Sequence, residues 1–208
     1  DKTIRLIAQM HKAISIIQFK LEAEIIRRRP EFKMEDRMLL HHIDFEKKTI
    51  TIDGTEYPLR DSLFPTIDPT DPYKLTEEEQ DIVLKLHNSF TGSEKLRKHM
   101  KCLFRYGCMY NVCNSNLLFH ASMPLNEDGT LKEIDILGKK YKGESLLKRV
   151  GQLIRTAYFA ENDNEEKNFA LDYVWYLWCG KDSPAFDKSK MATFERYFIA
   201  DAAAHKEV

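Results

Sequence analysis

Long apolar runs are missing from this sequence. No uninterrupted stretch approaches the roughly 20 residues that a helix needs to cross a bilayer, so no membrane partner is expected. An excess of one charge is missing too. Against 32 lysines and arginines stand 33 aspartates and glutamates, for a net charge of −1, which speaks against a broad nucleic-acid surface. Cysteine is sparse and unpatterned. Cys102, Cys108, Cys113 and Cys179 include no Cys-x-x-Cys pair, and their spacing fits neither a zinc ribbon nor a zinc finger. They read as buried free thiols in a reducing compartment, which points to the cytoplasm. There is no low-complexity tract, internal repeat or signal peptide. The chain starts at Asp1 rather than methionine, already in helical periodicity, as an excised piece of something longer would. What remains is 208 residues, 43% hydrophobic and 31% charged, enough for a real core.

Taken in order, residues 3–28 read as one helix. Ile4, Ile7, Ala8, His11, Ile14, Ile17, Leu21, Ile25 and Ile26 recur at three- and four-residue steps. Arg27, Arg28 and Arg29 suit its C-terminal dipole, and Pro30 stops it. They could receive a phosphate, though a solvated helix end explains them equally. Met34 to His42 reads as a short second helix. Thr49–Ile52, Asp53-Gly54 and Thr55–Leu59 form a hairpin with a type I′ turn, and Pro58 puts its second strand at an edge. Residues 60–75, with three prolines, form an extended loop. Thr76-x-x-Glu79 is a capping box opening a helix to about Phe90, and Ser93 caps another to about Tyr106. Cys108–Val112 and Leu117–His120 read as paired strands with a tight Asn114-Ser115 turn. A second small hairpin follows around Gly138, then an amphipathic helix over 144–160. Phe169–Trp178, dense in aromatics, reads as a buried helix with Trp175 and Trp178 in the core.

The candidate site lies at Asn116–Gly129. Leu117, Leu118 and Phe119 look like a strand buried on both faces, with His120 at its end and a tight loop beyond. An imidazole held at the rim of a sheet can serve as a metal ligand or general acid. It can equally be a hydrogen-bonded core residue.

Asn-Leu-Leu-Phe-His at 116–120, Asp-x-x-Trp-Tyr-Leu-Trp-Cys-Gly at 172–180, Ser-Pro at 183–184, Thr-Phe-Glu-Arg-Tyr-Phe at 193–198 and Ile16–Glu22 together resemble the bacterial class III fructose-1,6-bisphosphatases. The resemblance covers nearly the whole chain but only a middle segment of that enzyme. It implies a calcineurin-like metallophosphoesterase core with two divalent metals, usually manganese, a sugar bisphosphate substrate and a role in gluconeogenesis. The family's Asp-x-His, Gly-Asp-x-x-Asp, Gly-Asn-His and Gly-His ligand motifs are all absent here. The intervening ligand, a histidine ending a buried strand, falls on His120, with Ala121-Ser122 in place of the usual glycines. By the same resemblance, Lys181, Lys188, Lys190 and Arg196 are candidates for contacting substrate phosphates, Arg196 foremost as a partly buried guanidinium beside Glu195.

The expected fold is α+β and predominantly helical, with about six helices, β-hairpins and a small antiparallel sheet carrying His120. It is expected as a single partial segment of the enzyme, with a helical part over 1–107 and a sheet-and-helix part over 108–208. Its partners are then the rest of its own chain and, through an exposed sheet edge, further copies of itself. Isolated, the segment is expected to bind no metal pair and to be inactive. The competing reading is a helical insertion that regulates or assembles the enzyme and takes no part in chemistry.

Overall fold

Helix α1 runs from Lys2 to Arg28 and stops where Pro30 opens a 3-10 turn. The computed structural model describes residues 2–186 and 188–205. Beyond α1 come β1 (Ile43–Asp44), β2 (Thr49–Ile52), β3 (Thr55–Pro58), α2 (Glu77–Gly92) and α3 (Glu94–Tyr106). Then follow β4 (Tyr110–Cys113), β5 (Asn116–Phe119), β6 (Ile134–Ile136), β7 (Lys139–Tyr141), α4 (Gly143–Phe159), α5 (Glu165–Cys179) and α6 (Thr193–Phe198). Among the described residues about 52% are helical and every sheet is small and antiparallel, so the α+β, mostly helical reading holds.

Two compact units divide the chain. One runs to Gly92 and resumes at Ala192; the other is Ser93–Met191. The boundary expected at 107/108 therefore falls inside the second unit. Helix α3 belongs there because the Phe104 ring packs 4.9 Å from Tyr158, whose hydroxyl donates to the Arg97 carbonyl at 3.2 Å. The tail returns to the first unit because Arg60 N–H donates to Phe198 O at 2.7 Å and Leu59 bridges Ile199.

In the first unit, β1, β2 and β3 form a sheet in that order, which leaves Pro58 on an edge strand. Asp53 and Gly54 adopt left-handed φ values of 50° and 77°, as a type I′ turn requires. Ile50 and Ile52 turn inward onto Ile16, Phe19 and Ala23 of α1, together with Phe64, Phe194 and Phe198. The buried line of α1 thus runs through residues 16, 19, 20, 23 and 26. Of the stripe its isoleucines suggest, Ile17 and Ile26 are buried, but Ile4, Ile7 and Ile14 are exposed. The stretch 34–42, expected as one helix, is two 3-10 turns, Glu35–Arg37 and Leu40–His42. It is tied down by Arg37, which pairs with buried Glu22 of α1 at 2.7 Å.

Lys20 is wholly buried. Its ammonium donates to the Thr66 carbonyl and to Glu79 Oε2, each at 2.6 Å. The same Glu79 oxygen accepts the Thr76 N–H at 2.9 Å, and Thr76 Oγ1 accepts the Glu79 N–H at 3.2 Å. The capping box read from the sequence is therefore also the anchor of a buried cation.

In the second unit α4 packs along α5. Leu146, Leu147, Val150 and Leu153 are buried on α4, and Phe169, Ala170, Tyr173, Tyr176 and Leu177 on α5. Ser93 and Asn164 cap α3 and α5 through their side chains. Trp175 is half-buried, but Trp178 is exposed, because α5 turns its other face inward. Among the cysteines only Cys179 is buried. Cys102, Cys108 and Cys113 are exposed free thiols, since α3 buries no residue and the β4–β5 hairpin stands open.

Removing one partner of a buried ion pair strands the other charge. Lys20→Ala is expected to lower stability by about 3–5 kcal/mol in urea unfolding, whereas Lys20→Met with Glu79→Leu recovers most of the loss. A second expectation concerns pH. His41 Nδ1 shares a hydrogen bond of 2.7 Å with the Tyr73 hydroxyl, and Arg27 lies 5.0 Å over the Tyr73 ring. Burial pushes the Tyr73 phenol up to about 12. Partial burial, then His42 and Arg27, hold His41 below its ordinary value of 6.5. The unfolded chain therefore takes up this proton first. The stabilisation is complete above about 6.5 and declines as the pH falls below it. Urea midpoints at pH 7.5 and 5.5 should show a smaller acid loss in His41→Gln than in the native chain.

Candidate functional site

The β4–β5 hairpin forms because Asn114 and Ser115 both accept left-handed φ, 51° and 64°, giving the two-residue turn expected from the sequence. The register pairs Tyr110 with Phe119 and Val112 with Leu117. Its foot is fixed by Tyr110, whose hydroxyl donates to Glu144 Oε1 on α4 at 2.6 Å. Lys148 grips the same carboxylate at 2.9 Å. These bonds hold the Glu144 carboxyl below its usual range, and the bond to Glu144 raises the Tyr110 phenol.

His120 follows directly after β5 and is exposed. The strand before it is not buried as expected. Every residue of β5 is exposed, with Leu117 at 50%, Leu118 at 55% and Phe119 at 40%. The reason lies in the pairing: β4 is the sole partner of β5 among the described residues, so no neighbouring strand or helix covers either face.

The loop beyond His120 is well tied. Ser122 N–H donates to the Pro184 carbonyl at 3.3 Å, and Lys132 N–H to Pro124 O at 3.0 Å. Asp128 accepts both the N–H and the hydroxyl of Thr130, which holds its carboxyl below the usual range. Lys132 Nζ reaches Asp182 Oδ1 at 2.7 Å. Segment 180–186 is fastened in turn to the end of α5. Ser183 Oγ donates to Leu177 O at 2.7 Å, and Asp182 N–H donates to the Tyr176 hydroxyl at 3.1 Å. His120 therefore opens a loop that is bound at two points to the segment carrying Lys181. The sequence reading missed Ser122, Lys132 and Asp182 as ties. Contacts across 50 residues, such as that of Lys132 with Asp182, leave no local pattern to read.

The four expected phosphate-contacting cations divide between the units. Lys181 and Lys188 are exposed and Lys190 is half-buried, all in the second unit. Arg196 belongs to the first. It is exposed rather than partly buried, because the short α6 turns Phe194, Glu195 and Phe198 inward and leaves Arg196 and Tyr197 facing out. Among the described residues, no group of three or more His, Cys, Asp or Glu side chains could hold a metal. The residues present do not by themselves fit a two-metal centre; His120 is a single donor.

The family described as Firmicute fructose-1,6-bisphosphatase matches residues 1–208. A protein named fructose-1,6-bisphosphatase class 3 from Phocaeicola vulgatus is 72% identical over 208 residues, all of this chain and 31% of its own length. Its namesake from Bacteroides fragilis is 67% identical over 207 residues, and that from Clostridium novyi 55% over 204. No solved structure matches. The chain spans 31% of the length of the first two relatives. Matched from end to end, it belongs to the Firmicute fructose-1,6-bisphosphatase family.

Proposed function

We propose that this chain is a segment of a longer, cytoplasmic, metal-dependent fructose-1,6-bisphosphatase that releases phosphate from fructose 1,6-bisphosphate in gluconeogenesis. In that enzyme His120 is one ligand of a manganese centre, and the remaining ligands come from sequence outside these residues. The observation carrying this reading is the family match over every residue, combined with relatives of which the chain is 31%. Two features support His120 in particular. It is open to solvent at the end of a strand, and the hairpin bearing it is apolar yet uncovered, as part of a larger calcineurin-like sheet would be. Lys181, Lys188, Lys190 and Arg196 are the proposed cations around the substrate phosphates. A metal-dependent phosphatase needs several converging carboxylate and imidazole ligands, so the chemistry belongs to the assembled enzyme.

A second reading, a regulatory or assembly insertion without a chemical role, draws on the open apolar surface of α1, where Ile4 and Met10 are more than 60% exposed. One substitution separates the two. In the full-length enzyme, His120→Ala is expected to cut manganese-dependent turnover by at least about 100-fold and to lower bound manganese, with the melting temperature little changed. Under the insertion reading turnover persists and only stability falls. The 208-residue chain alone, given manganese and fructose 1,6-bisphosphate, is expected to release no phosphate above background.

A further inference from the structure

A cleft of about 390 Å³ opens in the first unit between the N-terminal half of α1, Asp61 and α6. Arg5, Gln9 and Lys12 line one wall at four- and three-residue steps, the spacing that puts them on one face of the helix. Asp61, Tyr197 and Phe198 line the other side. None of these residues belongs to the His120 loop.

The charges of the cleft are unequally engaged. Lys12 is committed: its ammonium bonds Asp61 Oδ2 at 2.6 Å and the Leu63 carbonyl, and lies 4.7 Å over the Phe64 ring. Asp61 is committed in return. Partial burial pushes its carboxyl up, but the bonds from Lys12 and the Leu63 N–H outweigh that and hold it low. Arg5 is different. Among the described lining residues the single carboxylate is already held by Lys12, so the Arg5 guanidinium faces the cleft with no anionic partner there. One planar guanidinium fork matches one carboxylate in two parallel hydrogen bonds. A doubly charged phosphate would call for a second cation; Lys12 is not free to supply it, and the other basic residue of the lining is His11, whose imidazole offers no planar two-donor fork. The side contributed by α6 is aromatic: Tyr197 is 56% exposed, and Phe198 is buried. A flat ring stacks well on such a surface, and the Gln9 amide adds a polar edge.

We infer that this cleft binds a small aromatic carboxylate, its carboxylate gripped by Arg5 and its ring laid on Tyr197. The site does not depend on the role of His120 or on any metal.

The test is a titration of the 15N-labelled 208-residue chain at pH 8. Benzoate is the probe, and cyclohexanecarboxylate and inorganic phosphate are the comparators. Saturable amide shifts at Arg5, Gln9 and Tyr197 are expected with benzoate. Binding should weaken about tenfold or more in Arg5→Gln, less in Arg5→Lys, and also in Tyr197→Ser. Both positions are exposed, so circular dichroism should show these variants folded. Cyclohexanecarboxylate, which lacks the flat ring, should bind more weakly than benzoate. The inference is overturned if benzoate gives no saturable shift at those residues, if Arg5→Gln binds it as the native chain does, or if inorganic phosphate or cyclohexanecarboxylate binds as tightly.

Discussion

An ammonium group sealed from water is tolerated only when its charge and its protons are met, and in this chain Lys20 is met by Glu79 and the Thr66 carbonyl. The three partners come from α1, from the proline-containing loop and from the first turn of α2. That one contact therefore decides how the helix, the loop and the next helix are joined. The carboxylate that answers Lys20 also accepts the Thr76 N–H at the start of α2. Helix nucleation and charge burial are thereby coupled. The second buried pair, Glu22 with Arg37, fixes the 3-10 turns to the same helix. The sheet and the Phe64, Phe194 and Phe198 cluster fill the space these polar contacts define.

Elsewhere the chain is complete in secondary structure but not in burial. The β4–β5 ribbon carries apolar residues on both faces with no covering layer. Ile4, Leu6, Ile7 and Met10 on α1 stand in solvent, as do Leu171, Val174 and Trp178 on α5. Residues spaced by three or four positions, all apolar and all exposed, mark contact surfaces rather than accidents of composition. A segment spanning 31% of its relatives has this character if those surfaces are covered in the longer protein. His120 lies beside one of them, the β4–β5 ribbon. An imidazole there is available to outside ligands, whereas one packed in a core would not be.

Local signals carried far in the sequence. Asp53-Gly54 and Asn114-Ser115 announce their turns because so few residues accept left-handed φ. Thr76-x-x-Glu79 and Ser93 announce helix starts through the bonds their side chains make. Burial was less legible, because it depends on partners distant in sequence. The isoleucine stripe of α1 is buried at Ile17 and Ile26 but stands exposed at Ile4, Ile7 and Ile14, while Lys20, charged and flanked by apolar neighbours, lies inside. Leu117–Phe119 has the composition of a covered strand but lacks the cover among the described residues. Arg196 was expected to be partly buried, yet Glu195 occupies the inward position and Arg196 faces out. In the candidate site the histidine at the end of a strand was legible. The ties that hold its loop, Ser122 to Pro184 and Lys132 to Asp182, were not.

We propose that His120 is a metal donor in a centre completed by the longer chain. Pulsed electron paramagnetic resonance on the manganese-loaded full-length enzyme reads this at the metal itself, through the couplings of coordinated imidazole nitrogens. Native protein and His120→Asn should differ by the loss of one such nitrogen coupling. An identical set of nitrogen couplings in the two proteins would contradict the claim.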